Sequence, residues 1–346
     1  MYITEQEIMS QHIALEKTFD YVMLQREEIE AFFIQYPFKK FIFLGCGSSY
    51  MLCKSGETLF SACKNTSASA IAGGDYLIHH GFYEETVKEA IVVTLSRSGQ
   101  TSEIIRSAKL IKEKFGNPII SICLKEDNHM MQYSDLNLTM DWCFDQSVCQ
   151  TRSVTNLYTA MLLLAAVYKG DEDAIASVKK AISMNETFKK EYQPILKSLA
   201  EKDWDNVIVL ADGPVGGLAE EGALAFTEIA MLPGKCFHLL DYRHGPIVIN
   251  DNKTLTAVLL SPVETKLQGD LVKDLKKQGG IVITVSTQKD NLYDADRHIF
   301  IGEIEDFGAM GIPFIFVLQM AAYEKSMMLG NNPDAPAGLD PFITLT

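Results

Sequence analysis

Five hydroxyl side chains fall in two short stretches of the chain: Ser48 and Ser49 in "GCGSS" (45–49), and Ser96, Ser98 and Thr101 in "SRSGQT" (96–101). Each stretch follows an apolar run that reads as a strand, "FIFLG" (41–45) and "AIVVTLS" (90–96), and each opens a segment that reads as a helix. A helix start offers N–H groups without intrahelical partners and the positive end of the peptide dipole, so hydroxyls placed there complete a cradle for an anion. Arg97 adds a guanidinium able to hold two phosphate oxygens at once. Ser98, Thr101 and Ser102 also suit plain helix capping. Two clusters on successive strands, both at carboxyl ends, favour a bound monophosphate over caps alone. A dinucleotide is disfavoured, because Gly45-Cys46-Gly47-Ser48-Ser49-Tyr50 puts tyrosine where the third glycine of the G-x-G-x-x-G fingerprint belongs.

Such loops need a sheet to carry them. Further β-rich runs occur at "PIISICL" (118–124) and "LNLTM" (136–140), with helical stretches at 48–63, 100–114 and 151–168 between and after the runs. Residues 4–35 carry apolar positions at helical spacing and read as one or two helices. The order then returns: "NVIVLADG" (206–213), "LTAVLLS" (255–261), "GIVITVS" (280–286) and "HIFIG" (298–302), again with helical stretches between, after a charged helical bridge at 171–204. Strands alternating with helices predict a parallel sheet covered on both faces, here twice. At an offset of 166, Leu44 meets Leu210, Gly47 meets Gly213, Leu52 meets Leu218, Gly56 meets Gly222 and Phe60 meets Phe226. Near an offset of 165, "TLS" (94–96) falls on "LLS" (259–261). The chain reads as two copies of one α/β unit, of which only the first keeps its hydroxyls: "GCGSS" becomes "ADGPVGG".

Composition narrows the classes. A chain of 346 residues with 47% hydrophobic and 22% charged residues builds an ordinary globular core in two or three domains. A formal charge of -14 speaks against a general nucleic-acid binder, which needs basic excess for the phosphate backbone, but not against a small anion held by backbone N–H groups. The seven cysteines (46, 53, 63, 123, 143, 149, 236) are scattered without a CxxC pair, which suits a reducing cytoplasm better than a disulfide framework. The start "MYITEQEIMSQ" lacks the basic and apolar regions of a secretory signal, and no stretch approaches about 20 uninterrupted apolar residues. No His/Asp/Glu set has metal-ligand spacing, so no metal and no cofactor are expected. The expectation is a cytoplasmic α/β enzyme without a membrane span.

The motifs together resemble the sugar isomerase (SIS) domain proteins: "GCGSS", "SRSGQT", "SVCQTRSVTN" (147–156), "EEGALAFTEIA" (220–230) and "DYRHGPIVI" (241–249). The arrangement is similar to the isomerase half of glucosamine-6-phosphate synthase and to stand-alone phosphosugar isomerases, deaminases and fructosamine-6-phosphate deglycases. It runs from "EIMSQHIALEKT" (7–18) to "NPDAPAGLDPFITL" (332–345). The resemblance implies two tandem flavodoxin-like SIS subdomains, each a parallel sheet flanked by helices, in a homodimer. The expected division is N-terminal helices over 1–35, a first SIS subdomain over 36–170, the bridge over 171–204, a second subdomain over 205–330, and a tail over 331–346 near the active site. Carried onto this sequence, the resemblance places the sugar phosphate on Ser49, Ser96, Ser98 and Thr101. Arg97 stands where the synthase has glutamine, so its expected phosphate contact rests on its own guanidinium and is not inherited from the resemblance. The sugar is placed on Cys46, Gly47, Ser48, Val148 and Arg152, the last standing for a lysine. Glu228 matches the glutamate that moves a proton between C1 and C2. His244 matches the histidine that helps ring opening from the neighbouring subunit.

The residues bear on this chemistry directly. Aldose–ketose interconversion needs a base that takes a proton α to a carbonyl and returns it one carbon away, which suits a partly buried carboxylate. Glu228 has Phe226, Ile229, Ala230, Met231 and Leu232 as neighbours, and Glu221 shares its helix face seven residues earlier. His244 precedes Gly-Pro and also suits a plain turn. His79, His80, Asp75 and His238 are read as ordinary surface or structural groups. Two departures from the synthase stand out. Ala225 replaces a lysine three residues before Glu228, and Pro341 stands where the synthase tail carries its imine-forming lysine, with no lysine after Lys325. The chain also begins where the isomerase half begins, without a glutaminase domain. These departures suit a substrate that already carries its nitrogen, so the expected activity is deglycation of a fructosamine 6-phosphate to glucose 6-phosphate and free amine. Alternatives are an aminosugar-phosphate deaminase, a plain aldose–ketose isomerase and, from another class, a non-catalytic sugar-phosphate sensor.

Overall fold

The computed structural model describes residues 2–339. Two helices, α1 (Ile3–Leu24) and α2 (Arg26–Gln35), precede the first sheet. There β1 (Lys40–Gly45) leads to α3 (Ser48–Ser61), β2 (Ser67–Ala72), α4 (Gly73–His79) and a single turn, α5 (Glu84–Val87). Then come β3 (Ile91–Ser96), α6 (Ser102–Phe115), β4 (Ile119–Cys123), β5 (Leu136–Thr139) and α7 (Arg152–Lys169). All pairings are parallel and the order is β2-β1-β3-β4-β5. Residues 91–96 and 119–123 are buried throughout, as strands covered on both faces must be. On one face Ile42, Leu44 and Val92 pack with Ile104, Ala108 and Ile111 of α6; on the other, Phe41 and Phe43 meet Phe60 of α3, with rings 4.6 and 5.3 Å apart.

The second sheet follows α8 (Glu172–Ala200) and consists of β6 (Asn206–Leu210), α9 (Gly216–Ile229), β7 (Gly234–Phe237), β8 (Thr254–Leu259), α10 (Thr265–Lys277), β9 (Ile281–Ser286), β10 (Arg297–Phe300) and α11 (Gly311–Leu329). It is again all parallel, and its order β10-β9-β8-β6-β7, read from the other end, is that of the first sheet. The residues from Gly311 to Ser326 of α11 are all buried, which is why the helix is apolar on every side from Ile312 to Tyr323 except at Gln319. Among the described residues no helix is long and apolar enough to cross a membrane.

The expected α/β organisation with two parallel sheets is therefore present, with five strands in each sheet where the sequence pattern gave four. The additional strands, β2 ("SASAIA") and β7 ("GKCF"), are edge strands of small or mixed residues, largely half-exposed. Neither carries the β-branched run that marks a central strand. The chain divides into two compact units: Ile13–Gln146 with Arg152–Ala176, which holds the first sheet, and the described residues up to His12 with Ser147–Thr151 and Ser177–Leu339, which hold the second.

Candidate functional site

In the first-sheet unit, β1 and β3 lie side by side with Leu44 next to Thr94, so the loops that leave their carboxyl ends are neighbours. Between β1 and β3 the strand order changes direction, and such a switch point opens the crevice where doubly wound sheets take ligands. The geometry therefore assembles Cys46, Gly47, Ser48 and Ser49 from one loop with Ser96, Arg97, Ser98 and Thr101 from the other.

Each loop has a backbone reason for its sequence. A Cβ on Gly45 would stand 2.5 Å from the carbonyl carbon of Ser49 and 2.7 Å from the nitrogen of Tyr50, so only glycine lets the first turn of α3 sit against the strand end. Gly47 has φ +55° with open space around it, a left-handed turn that aims Ser48 and Ser49 inward, where both are buried. In the second loop the oxygen of Ser96 accepts the Gly99 N–H at 3.0 Å and that of Ser98 accepts the Gln100 N–H at 3.1 Å. A hydroxyl used as acceptor keeps its own proton for donation. Thr101 is the N-cap residue of α6, yet its hydroxyl makes no cap bond and lies 3.4 Å from that of Ser96. The capping role open to Thr101 in the sequence is thus not the one it plays. The loop is fixed from behind, with the carbonyls of Arg97 and Gly99 accepting from the Leu124 and His129 N–H groups.

Electrostatics favour an anion here in a chain of charge -14. The Arg97 guanidinium lies 5.5 Å and the Lys125 ammonium 4.7 Å from the centre of the Phe144 ring, while Arg152 donates to the Phe144 carbonyl at 2.8 Å. Sequence reasoning missed Lys125 and Phe144; the one signal for them was that Lys125 closely follows a strand end. Arg152 is also bound to the wholly buried Asp145, Nε to Oδ1 3.3 Å, and Asp145 accepts the Ser153 N–H at 3.0 Å near the start of α7. Cys46 is held as a neutral thiol: burial, and then the nearby Glu103 carboxylate, push its pKa up to about 11.

The remaining expected residues belong to the second-sheet unit. Val148 is half-buried in the segment Ser147–Thr151. Glu228 is half-buried in the last turn of α9, which, between parallel strands, is the edge of the sheet opposite the carboxyl ends. That turn is pinned by three contacts: Thr227 Oγ1 accepts the Gly234 N–H at 3.2 Å, Asn331 donates to the Ala230 carbonyl at 2.9 Å, and the Leu232 N–H reaches back to Phe226 O at 3.2 Å. His244 is exposed after the 3₁₀ turn Asp241–Arg243, followed by Gly245 at φ +121°. Glu221, seven residues before Glu228, is buried in α9; of the groups read as ordinary, His238 pairs with Asp212 at 3.0 Å and His79 with Asp75 at 2.8 Å, both pairs exposed. The tail expected near the site, with Pro341, lies from residue 340 onward outside the described residues.

Fold and loops define the class: a tandem doubly wound α/β protein whose first half carries a hydroxyl- and N–H-rich loop pair at its switch point. Residues 36–167 match the family model "SIS domain". Over 317 residues the chain is 23% identical to the glutamine–fructose-6-phosphate aminotransferase (isomerizing) of Buchnera aphidicola; the match covers 87% of this chain and 50% of that protein, so the chain spans about half of its relative's length. The fold is shared with tagatose-6-phosphate ketose/aldose isomerase from Escherichia coli (TM-score 0.86, 19% identity, covering 99% of this chain and 96% of that one). It is shared also with glucosamine-6-phosphate deaminase from Thermotoga maritima (TM-score 0.82, 21% identity, 99% and 100%).

Proposed function

We propose that this protein is a phosphosugar isomerase-type enzyme that deglycates a fructosamine 6-phosphate. The observation that carries the phosphate is the loop pair at the switch point, where Ser96, Ser98 and Thr101 surround the start of α6 without capping it, beside Arg97 and Lys125. Ser49 completes the phosphate contacts, and Cys46, Gly47, Ser48, Val148 and Arg152 face the sugar. The related proteins named for fructose-6-phosphate, tagatose-6-phosphate and glucosamine-6-phosphate support a sugar 6-phosphate as the substrate class.

Glu228 is the base. Its carboxylate takes a proton from C1 of the open-chain 1-amino-ketose while the C2 oxygen takes up a proton, giving an enaminol; the first proton returns at C2 as the nitrogen releases its own, which leaves a C1=N imine. Water adds to C1, the C–N bond breaks, and glucose 6-phosphate and the amine depart. Ala225, buried one turn before Glu228, offers no amine for an enzyme-bound imine, and Lys325 is committed to the carbonyls of Ala200 and Lys202 and to the Trp204 ring. A substrate that brings its own nitrogen fits this set. Deamination of glucosamine 6-phosphate uses the same groups and is the second reading. His244 opens the ring of a substrate held by the neighbouring subunit of a homodimer, a reading supported by its exposure next to Gly245 and the 79%-exposed Val248.

The test is incubation with a panel of fructosamine 6-phosphates, glucosamine 6-phosphate and fructose 6-phosphate, following glucose 6-phosphate, fructose 6-phosphate and ammonia. Glucose 6-phosphate from the fructosamines is expected. Ammonia from glucosamine 6-phosphate alone selects the second reading, and no turnover of any substrate refutes both.

A further inference from the structure

The segment Ser147–Thr151 lies between two stretches of the first-sheet unit in sequence, yet it is built into the second-sheet unit by contacts from α1, α11 and Asp334. The carboxylate of Asp334 accepts the N–H groups of Ile3 (Oδ2, 3.0 Å) and Thr4 (Oδ1, 2.8 Å), so it caps α1 from 330 residues away. The Thr4 hydroxyl, fully buried, lies 2.8 Å from Asp334 Oδ1 and 2.9 Å from the Pro333 carbonyl. The backbone carbonyl of Asp334 accepts the Val148 N–H at 3.1 Å. One turn along α1, the Glu7 carboxylate holds the Ser147 hydroxyl at 2.5 Å, and at the other end Gln319 of α11 donates to the Thr151 carbonyl at 2.9 Å.

We infer that Asp334 is a latch: a positioning residue that seats the segment Ser147–Thr151 by binding the start of α1 with its side chain and Val148 with its backbone. An ordinary cap would come from a residue adjoining its helix; this one comes from the far end of the chain. Its two faces tie α1 and the segment to one residue, so loss of the side chain loosens both. Where the segment carries Val148, the latch sets the geometry of a sugar contact, a consequence that rests on the reading proposed above.

Cys149 reports the latch without reference to activity, being 1% exposed in the middle of the segment. In the full chain, alkylation of each cysteine is followed by mass spectrometry. Asp334→Ala is expected to raise the labelling rate of Cys149 about tenfold, with Cys53 and Cys143 still protected. Thr4→Val, which removes one hydroxyl from the network, gives a smaller rise, about threefold. Asp334→Asn keeps one acceptor oxygen and restores most of the protection. Cys149 staying protected in Asp334→Ala overturns the latch. So does equal acceleration of all three cysteines, which would mark general loosening, or an Asn variant as open as the Ala variant. With a turned-over phosphosugar in hand, Asp334→Ala raises KM more than it lowers kcat. A labelling change without that split leaves the latch standing and removes Val148 from the sugar contacts.

Discussion

The two sheets run in the same strand order, β2-β1-β3-β4-β5 and β7-β6-β8-β9-β10, and both keep a left-handed glycine after the first strand, Gly47 at φ +55° and Gly213 at φ +57°. Beyond that glycine the two halves part. In the first half Ser48 and Ser49 begin α3 at once; in the second, Pro214 and Val215 form a 3₁₀ turn before α9. The next loop differs more. Pairing sets Thr94 beside Leu44 and Val258 beside Leu210, so the counterpart of Ser96 is Leu260, and the true offset is 164 where the sequence match suggested 165. The second loop is also filled: the Gln268 amide accepts the Ser261 N–H at 2.8 Å and donates to the carbonyls of Ser261 and Val263. In one copy of the fold the N-cap hydroxyl at the switch point makes no cap bond, and in the other the corresponding loop is bonded internally. On the proposed function, the duplicated scaffold separates an anchoring half from one relieved of anchoring, and the proposed base lies in the latter.

Glu228→Gln is the strongest test of that division. It keeps the shape of α9 and removes the base, so turnover is expected to fall by about 10²–10⁴ while affinity for the phosphosugar stays within a few-fold. Parallel loss of binding, by calorimetry, would mean that the halves do not divide anchoring from chemistry.

Next in size is Gly45→Ala. The new Cβ meets backbone, which cannot turn aside as a side chain does, so α3 must shift. About 1–3 kcal/mol of stability and about tenfold in phosphosugar affinity should be lost. The reciprocal change, Ala211→Gly at the corresponding position, should cost no more than about 1 kcal/mol and leave affinity unaltered. Equal effects on ligand binding would break the comparison.

Gln268→Ala sharpens it from the other side. Removing the amide takes that partner from the Ser261 N–H and two carbonyls in a loop exposed from Pro262 to Leu267, at a cost of about 1 kcal/mol measured by urea unfolding, with no change in phosphosugar affinity. An affinity change would give the second loop a role in binding that its filling argues against.

The anchoring half was the more legible of the two in the sequence. Its central strands are continuous apolar runs, and its hydroxyls stand next to glycines in the turn, so composition and order suffice to bring Ser48, Ser49, Ser96, Ser98 and Thr101 to one sheet edge. Edge strands β2 and β7 were not legible, because Ser, Ala and Gly carry little strand preference and are extended by pairing with β1 and β6. The one-residue shift between Ser96 and Leu260 is a fact of register, invisible to alignment of a repeat this weak. Asp334 and Gln268 escaped for other reasons: Asp334 accepts N–H groups 330 and 331 positions away, and Gln268 folds back onto the loop just before its helix, where no residue pattern marks the contact. Arg97 was singled out, but the ring it faces, Phe144, comes from 47 positions on, a pairing set only by the fold.

The smallest effect concerns how Glu228 is held. Helix α9 ends with Met231 at φ +56°, a left-handed residue whose neighbour Leu232 returns a hydrogen bond to Phe226, the closure normally made by glycine. Met231 is 48% exposed, so its side chain contributes little packing to offset the backbone cost. Met231→Gly relieves about 1 kcal/mol of steric cost while adding some chain entropy to the unfolded state, leaving a net gain below about 1 kcal/mol. Stability should rise slightly in urea. If the strain served only to close the helix, kcat would be unchanged. If it fixes the carboxylate three residues earlier, kcat falls while stability rises, and the second half would then hold its base by a strained turn, as the first half holds its hydroxyls by a left-handed glycine.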